Sequence, residues 1–490
     1  MNHTILSLPA LRQLEHTAAA AGVDLMQRAA SCIADWVLRH YPNDARLLIA
    51  AGPGNNGGDA LFAACQLMAA GFAVDVLLPQ PPSSPDCQQA LAAVCEAGGI
   101  PLTRLAETHE PPDLIIDGLF GIGLSRDLGE PWCGVIRQLN QLGAPILALD
   151  CPSGLNAYTG QPVNVAIRAR HTLTFLCHKP GLYTAAGVDL AGEVELATLD
   201  CPLAWLPDAD GALNTPALAG LARQSDSHKG SYGTVCIVGG AVGMLGAALL
   251  AGRAALAGGA GKVFVCTLDD RLAVDPVAPE LMLRPLRANT ALPEHSVLAV
   301  GPGFGQQDDA RCWLDALLAQ PCPLVLDADA LNLLAQDEPR QQQLRDRCAP
   351  TILTPHPAEA ARLLGTDTAT IQRDRVEAAR QLAQRYHAIV VLKGAGSLIA
   401  RPDGFYHLNT TGSPALAVAG QGDVLSGLIA ALLAQGLDAF SAASSACYLH
   451  GLAGEQYQAE AGGPIGLGAA ATVPRLSRLI NQHLANTPTA

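Results

Sequence analysis

Asp59 and Asp423 each close a glycine-rich run that follows an apolar segment and leads into a helical one. The runs are Gly52-Pro53-Gly54-Asn55-Asn56-Gly57-Gly58-Asp59 and Ala419-Gly420-Gln421-Gly422-Asp423. A strand-to-helix turn of this composition suits a phosphate, because backbone amides converge at a helix start and glycine lets a ligand approach closely. Several positions in the first run are also expected at positive φ. Neither run reads Gly-x-Gly-x-x-Gly, and no Lys-Ser/Thr follows, so neither is a dinucleotide fingerprint or a P-loop. Two unlike turns in separate halves point to two sites that work on related nucleotides.

Two more runs in the first half end in polar turns, Asp117-Gly118-Leu119-Phe120-Gly121-Ile122-Gly123-Leu124 and Asp150-Cys151-Pro152-Ser153-Gly154-Leu155. An amide oxygen from Asn56, a carboxylate from Asp117 and a hydroxyl from Ser153 would together make the oxygen-only surroundings that a hard cation prefers. Asp150, at the end of an expected strand, is placed to move a proton to or from a substrate. Each acid alone would more often be a helix cap or loop anchor; their convergence favours a site.

In the second half the polar turns are Gly239-Gly240-Ala241-Val242-Gly243-Met244-Leu245-Gly246-Ala247, Gly301-Pro302-Gly303-Phe304-Gly305, Asp327-Ala328-Asp329, Thr354-Pro355-His356-Pro357-Ala358-Glu359 and Lys393-Gly394-Ala395-Gly396-Ser397. Each follows an apolar run, which puts carboxylate, imidazole and ammonium groups on one rim. Ala419 to Gly427 then opens an apolar helix at 428–434. Amides at that start would stabilise charge on a transferring phosphoryl group, and Asp423 would accept the proton of an attacking hydroxyl.

The elements that must position these groups alternate. Apolar runs at 46–51, 73–78, 114–117, 146–150 and 171–175 are separated by helical patterns, as are those at 234–238, 262–266, 296–300, 324–327, 351–354 and 389–393. Continuous apolar strands divided by helices imply parallel sheets covered on both faces, with ligands at the carboxyl ends of the strands. One opening helix is expected over 8–40, with Ser7 as its cap and Pro9 in its first turn. Periodicity fails between 201 and 227, where prolines and acids crowd, so a boundary is placed near Gly211. The chain is read as two α/β domains, 1–211 and 212–490, with no internal duplication.

Composition agrees with a compact globular α/β protein rather than a disordered one: 49% hydrophobic and 15% charged residues, with a net charge of −14 over 490 residues. That sign argues against a general nucleic-acid or anionic-membrane surface. Fourteen cysteines show no Cys-x-x-Cys pair and no zinc spacing. The start lacks the basic segment and long apolar run of a signal peptide, so free thiols in a reducing cytoplasm are expected. The apolar stretches 235–260 and 414–435 contain glycines and a charge, Arg253 or Asp423, and read as buried strand-turn-helix units rather than membrane spans.

Gly52 to Asp59, Asp117 to Leu124 and Asp150 to Leu155 together closely resemble the NAD(P)H-hydrate epimerase family, over 1–211. The resemblance implies a Rossmann-like three-layer αβα domain. It also implies that Asn55, Asn56, Gly57, Gly58 and Asp59, with Gly121, Ile122, Gly123, Leu124, Ser125, Arg126 and Asp127, hold the hydrated dinucleotide. Asn56, Asp117 and Ser153 would bind potassium, and Asp150 would contact substrate and transfer the proton. Lys179 fits a basic position of the family and fits a solvated surface lysine equally well.

Over 212–490 the rim residues resemble the ribokinase-like fold, in its ADP-dependent NAD(P)H-hydrate dehydratase branch. By that resemblance Ala247, Gly303, Phe304, Gly305, His356 and Asp423 contact the hydrated cofactor. Lys393, Gly394, Ala395, Gly396, Ser397 and Gly422 contact the adenine nucleotide. Magnesium with ADP is implied, and Asp423 is the implied base. Two departures stand out. Ser397 replaces a common threonine, and Gly412-Ser413-Pro414-Ala415 with Ala419-Gly420 replaces a more glycine-rich stretch; both are expected to tune affinity rather than abolish activity.

The combined reading is a bifunctional cytoplasmic repair enzyme for hydrated NADH and NADPH, acting on small molecules and forming a homo-oligomer. It would interconvert R and S hydrates in one domain and dehydrate the S form at the expense of ADP in the other. The rival readings are a small-molecule kinase of ribokinase-like type and a chain whose first half is only a ligand-sensing or scaffold module.

Overall fold

The computed structural model describes residues 3–105, 111–124, 127–288 and 290–486. The chain divides into two compact units, Met1–Ala212 and Leu213–Ala490. Both are α/β.

The first unit contains β1 (Thr4–Ile5), β2 (Arg46–Ala51), β3 (Ala73–Leu77), β4 (Leu114–Gly118), β5 (Ile146–Leu149), β6 (His171–Phe175) and β7 (Glu193–Ala197); β8 (Gly211–Leu213) begins at its end. Six of these form a parallel sheet in the order β3-β2-β4-β5-β6-β7. Alternation along β2 shows why it is buried on both faces: Leu47, Ile49 and Ala51 enter one core while Leu48 and Ala50 enter another. The first core takes residues from helices Leu8–Ala20, Leu25–His40, Asn55–Ala69 and Pro85–Glu96. The second takes Cys133, Ile136 and Leu139 of helix Glu130–Gln141. The unit is therefore a three-layer αβα domain.

The single helix expected over 8–40 is two helices. Gly22 adopts φ 77°, which ends the first, and Asp24 starts the second by accepting the Gln27 amide at 3.0 Å. Ser7 stands at the N-cap position, yet its side chain makes no cap bond; its backbone amide instead donates to Asp210 Oδ2 at 2.7 Å.

In the second unit the strands are β9 (Thr234–Gly239), β10 (Lys262–Thr267), β11 (Met282–Pro285), β12 (Ser296–Val300), β13 (Leu324–Leu326), β14 (Thr351–Leu353), β15 (Ile389–Leu392), β16 (Leu398–Ala400) and β17 (Tyr406–Leu408). Their order is β17-β16-β15-β14-β13-β12-β9-β10-β11. Pairing is parallel from β15 to β11 and antiparallel from β15 to β17. Helix Gln421–Ala434 lies in the core of one face, where Val424, Leu425, Leu428, Ile429 and Leu432 are buried with Val235, Ile237, Val263 and Val265. Helix Arg375–Tyr386 packs against β15 and β16.

All fourteen cysteines are free thiols and eight are buried. Among the described residues no helix is long and apolar enough to cross a membrane.

Candidate active sites

The first site is built at the carboxyl ends of β2, β4 and β5. After β2 the chain turns at Gly54 and enters helix Asn55–Ala69, so Asn55 to Asp59 form its first turns. The positive φ expected of this turn does not occur, since Gly54 has φ −103° and Gly52, Gly57 and Gly58 are not left-handed. These glycines are required by contact instead. A Cβ on Gly57 would strike the Gly52 carbonyl, and one on Gly52 would strike the Leu119 carbonyl.

Asp117, next to last in β4, is wholly buried. It accepts the Ser153 amide at 2.8 Å, the Ser153 hydroxyl at 2.6 Å and the Leu119 amide at 3.3 Å. Burial nevertheless outweighs these bonds and pushes its carboxyl up to about 6. Ser153 Oγ in turn accepts the Phe120 amide at 2.8 Å, tying the two strand ends together. Against the same segment lies Asn56, whose buried side-chain oxygen and nitrogen have no hydrogen-bond partner in the protein. Orphaned buried amides are costly, so this one marks a place for a ligand.

Asp150 follows β5 in the left-handed region, φ 64°. Its Oδ1 lies 2.5 Å from Lys179 Nζ and 3.3 Å from the Phe175 amide nitrogen. Lys179 is no surface residue: its side chain is 1% exposed, and its ammonium also donates to Thr174 Oγ1 at 3.0 Å and the Phe175 carbonyl at 2.6 Å. Burial alone would lower the lysine, but the Asp150 carboxylate together with Cys177 and Cys151 outweighs it, and the net shift is upward. Asp59 and Glu15 face the same carboxylate. Burial first, then Asp150, raises both. Gly121 closes the group, because a Cβ there would stand 3.3 Å from Asp150 Oδ2 and 3.5 Å from Asn56 Oδ1.

The structure thus brings together Asn56, Asp59, Asp117, Gly121, Asp150 and Ser153. Ile122 and Leu124 pack against hydrophobic cores, Gly123 and Asp127 are exposed, and Ser125 and Arg126 lie outside the described residues. Glu15 and Thr174 carry no signal in the sequence; each is one of several polar residues in its helix or strand and belongs to no motif.

The second site gathers at the carboxyl ends of β9, β12, β13, β14 and β15. Gly303 and Gly305 are left-handed, φ 58° and 74°, and a Cβ on Gly303 would stand 3.1 Å from that of Ala247. The Gly305 amide donates to Asp329 Oδ2 at 2.8 Å. Asp327, fully buried after β13, accepts Lys393 Nζ at 2.7 Å and the Ser426 hydroxyl at 2.7 Å. Its pKa is lowered, because Lys393 and Ser426 outweigh the burial that would raise it. Gly422 packs over this pair: a Cβ there would be 3.4 Å from Lys393 Nζ.

Asp423 stands in the first turn of helix Gln421–Ala434, which is entered through Gly420 at φ 90°. Burial, and then the Asp327 carboxylate, push it up to about 7 despite the Lys393 charge. His356 caps helix Pro357–Leu364 by accepting the Ala358 amide at Nδ1, 3.1 Å, while its own amide donates to Glu359 Oε2 at 2.8 Å. Burial, with Lys393 and Arg362 nearby, lowers its pKa and keeps it neutral. Gly394 and Ser397 close a tight loop, the Gly394 amide donating to Ser397 Oγ at 3.2 Å and the hydroxyl returning to the Gly394 carbonyl at 3.0 Å. Beneath that loop the buried Arg375 guanidinium donates to the Leu392 and Lys393 carbonyls, both at 3.3 Å.

One site therefore offers a carboxylate held by an ammonium beside an orphaned amide. The other offers a carboxyl poised near neutrality at a helix start, beside a buried lysine. The first can move protons on a polar substrate and the second can take a proton from a nucleophile attacking phosphorus.

Two family models match the chain: one described as YjeF-related protein N-terminus, over residues 22–181, and one described as NAD(P)H-hydrate dehydratase, over residues 235–472. A bifunctional NAD(P)H-hydrate repair enzyme of Coxiella burnetii is 36% identical, covering 96% of this chain and 98% of the relative. One of Escherichia coli is also 36% identical, covering 98% and 95%. Among solved structures, an ADP/ATP-dependent NAD(P)H-hydrate dehydratase of Bacillus subtilis co-crystallised with ATP/Mg2+ is 34% identical, covers 55% of this chain and 94% of its own, and has a TM-score of 0.48.

Proposed function

This chain belongs to the family of bifunctional NAD(P)H-hydrate repair enzymes, and from that premise we propose which residues perform each half of the repair. In the first unit Asp150 moves the proton that epimerises C6 of the hydrated nicotinamide. That carbon bears a hydroxyl and the ring nitrogen. Asp150 takes the hydroxyl proton as the C6–N1 bond breaks and hands it to N1; the resulting aldehyde recloses on either face with the proton returned the same way. Lys179, with all three donors engaged inside the protein, holds the carboxylate rather than touching substrate. Asn55 to Asp59 and Gly121 to Asp127 would cradle the dinucleotide.

Potassium fits the first site. Asn56 has an unsatisfied buried oxygen, and Asp117 and Ser153 supply a carboxylate and a hydroxyl, the hard-oxygen set such a cation takes. A bound cation there would fix the dinucleotide's charged groups. For magnesium, no group of three acidic, histidine or cysteine residues that could hold a metal ion occurs among the described residues. The chain's own contribution to a magnesium–ADP complex is Lys393, Gly394 to Ser397 and Gly422.

In the second unit Asp423 takes the proton of the S-hydrate's C6 hydroxyl as its oxygen attacks the β-phosphorus of ADP, and AMP leaves. Phosphate then departs from C6 as a C5 proton is lost, restoring the ring double bond. Hydroxide leaves poorly and phosphate leaves well, which is why a phosphoryl donor is consumed. Ala247, Gly303, Gly305 and His356 would line the hydrate.

The observation that carries this reading is Asp423, pushed up to about 7 at the start of a helix with no side-chain cap, where the first amides can donate to an anion. Purified protein given hydrated NADH should restore dihydronicotinamide absorbance with ADP and, run in parallel, reveal any use of ATP. A stable phosphorylated product would mean a kinase instead. Further copies of this chain are the expected partners, tested by mass in solution.

A further inference from the structure

Between the two glycines of the 420–423 turn stands Gln421, and its side chain is buried. Its Nε2 donates to Thr472 Oγ1 at 2.9 Å, and its Oε1 lies 3.0 Å from His450 Nε2. Since the amide nitrogen is spent on Thr472, the carbonyl oxygen is the acceptor, so His450 must carry its hydrogen on Nε2. Burial, with the Lys393 charge nearby, pushes His450 down to about 4, and the ring is neutral. Three buried side chains from three helices, Gln421–Ala434, Ala439–Ala461 and Ala469–Asn486, thus form one hydrogen-bonded chain.

That chain ends at the helix start where Asp423 stands. Gly420, the N-cap, is left-handed at φ 90° and has no side chain, so no side-chain capping bond holds the first turn. Gln421 is the first residue of the helix. Fixing its side chain from two neighbouring helices fixes the orientation of the next two backbone amides and of Asp423. A displacement of about 1 Å in such a turn is enough to cost rate, because the carboxylate must meet the hydroxyl and the amides the phosphoryl oxygens at once.

We propose that Gln421, His450 and Thr472 are positioning residues for phosphoryl transfer, a buried polar brace that replaces the missing cap and aims Gly422 and Asp423 at the reacting group. This rests on the reading of Asp423 as the base. The brace acts on the chemical step more than on nucleotide binding, which falls mainly to Lys393 and the 394–397 loop, with Gly422 the one residue shared between them.

The test uses the full chain, whose epimerase activity serves as an internal reference. Thr472→Val keeps shape and removes the hydroxyl; Gln421→Met keeps length and removes both bonds. Each should lower kcat for dehydration by about tenfold or more, with KM for ADP changed by less than about threefold and epimerisation unchanged. The double variant should lose little beyond the worse single, as residues acting as one unit do. Thr472→Ser, which keeps the hydroxyl, should restore kcat. The proposal is overturned if both apolar variants keep kcat within about threefold, or if KM alone changes. It is also overturned if dehydration falls only in step with epimerisation and the melting transition. Asp423→Asn separates the two readings: full activity in that variant would sink the base assignment, whereas an inactive Asp423→Asn with fully active Gln421 variants would sink the brace alone.

Discussion

Lys179 Nζ and Asp150 Oδ1 lie 2.5 Å apart with the lysine side chain 1% and the aspartate side chain 14% exposed. The ammonium spends its other two hydrogens on Thr174 and Phe175, so it can steer the carboxylate but cannot itself deliver a proton to substrate. Removing one partner of such a pair leaves a charge stranded.

Lys179→Met should accordingly destabilise the protein by about 3–5 kcal/mol and stop epimerisation, with ADP-dependent dehydration of the S-hydrate retained wherever the chain stays folded. Thermal melting together with NMR of racemisation from a single epimer measures both. Epimerisation at the normal rate would show that Asp150 needs no anchor.

Gly121 tests how the first site is closed. Its backbone is not left-handed, so alanine is conformationally acceptable, but the new Cβ would stand 3.3 Å from Asp150 Oδ2 and 3.5 Å from Asn56 Oδ1. Gly121→Ala should change stability by less than about 1 kcal/mol while lowering epimerase kcat/KM tenfold or more, on the order of 1.4 kcal/mol in the barrier. Steady-state epimerase kinetics beside a melting curve decides it.

The orphaned amide of Asn56 makes a claim about potassium. Asn56→Ala removes two unsatisfied buried polar atoms, so in sodium-free, potassium-free buffer the variant should melt no lower than the parent. Added potassium should raise the melting temperature of the parent alone. Equal stabilisation of both chains would remove Asn56 from the cation's ligands.

Asp423 predicts a pH profile. As the proposed base it acts in its ionised form, and burial with Asp327 pushes its carboxyl up to about 7, so kcat for dehydration should climb roughly tenfold per pH unit below that value and level off above it. Stability runs the other way. The folded chain holds this proton more tightly than the unfolded chain, whose aspartates titrate near about 3.9. The group's stabilisation is complete below the unfolded value and is lost as pH rises through about 7. Asp423→Asn should therefore be inactive in dehydration and, relative to the parent, more stable at pH 8 than at pH 5. A flat kcat profile from pH 5 to 8 would contradict the assignment.

Much of this was legible in the residues themselves. The core strands β2, β4, β12 and β14 were read within a residue of their ends, because strands buried on both faces are continuous apolar runs. The edge strand β7, with Glu193 and Glu195, and the short β16 and β17 carry no such signal. The break at Gly22 was hidden because helical patterns run on both sides of it. The glycines of the first turn are demanded by contact, as close approach implies, and not by left-handed backbone. Whether Lys179 was buried could not be settled locally, since its partner Asp150 lies 29 positions away in the chain. The same holds for Gln421, whose partners His450 and Thr472 are 29 and 51 positions distant.

The left-handed backbone of Asp150 has a consequence for how this protein can vary. A non-glycine residue held at φ 64° carries a conformational cost on the order of 1 kcal/mol that glycine would relieve and asparagine would largely tolerate. Drift toward greater thermal endurance thus pulls position 150 toward residues that cannot move a proton, and Lys179 opposes it, because any such change strands a buried ammonium. Neither position can change first without loss, so descendants of this sequence will keep the two together or exchange them together.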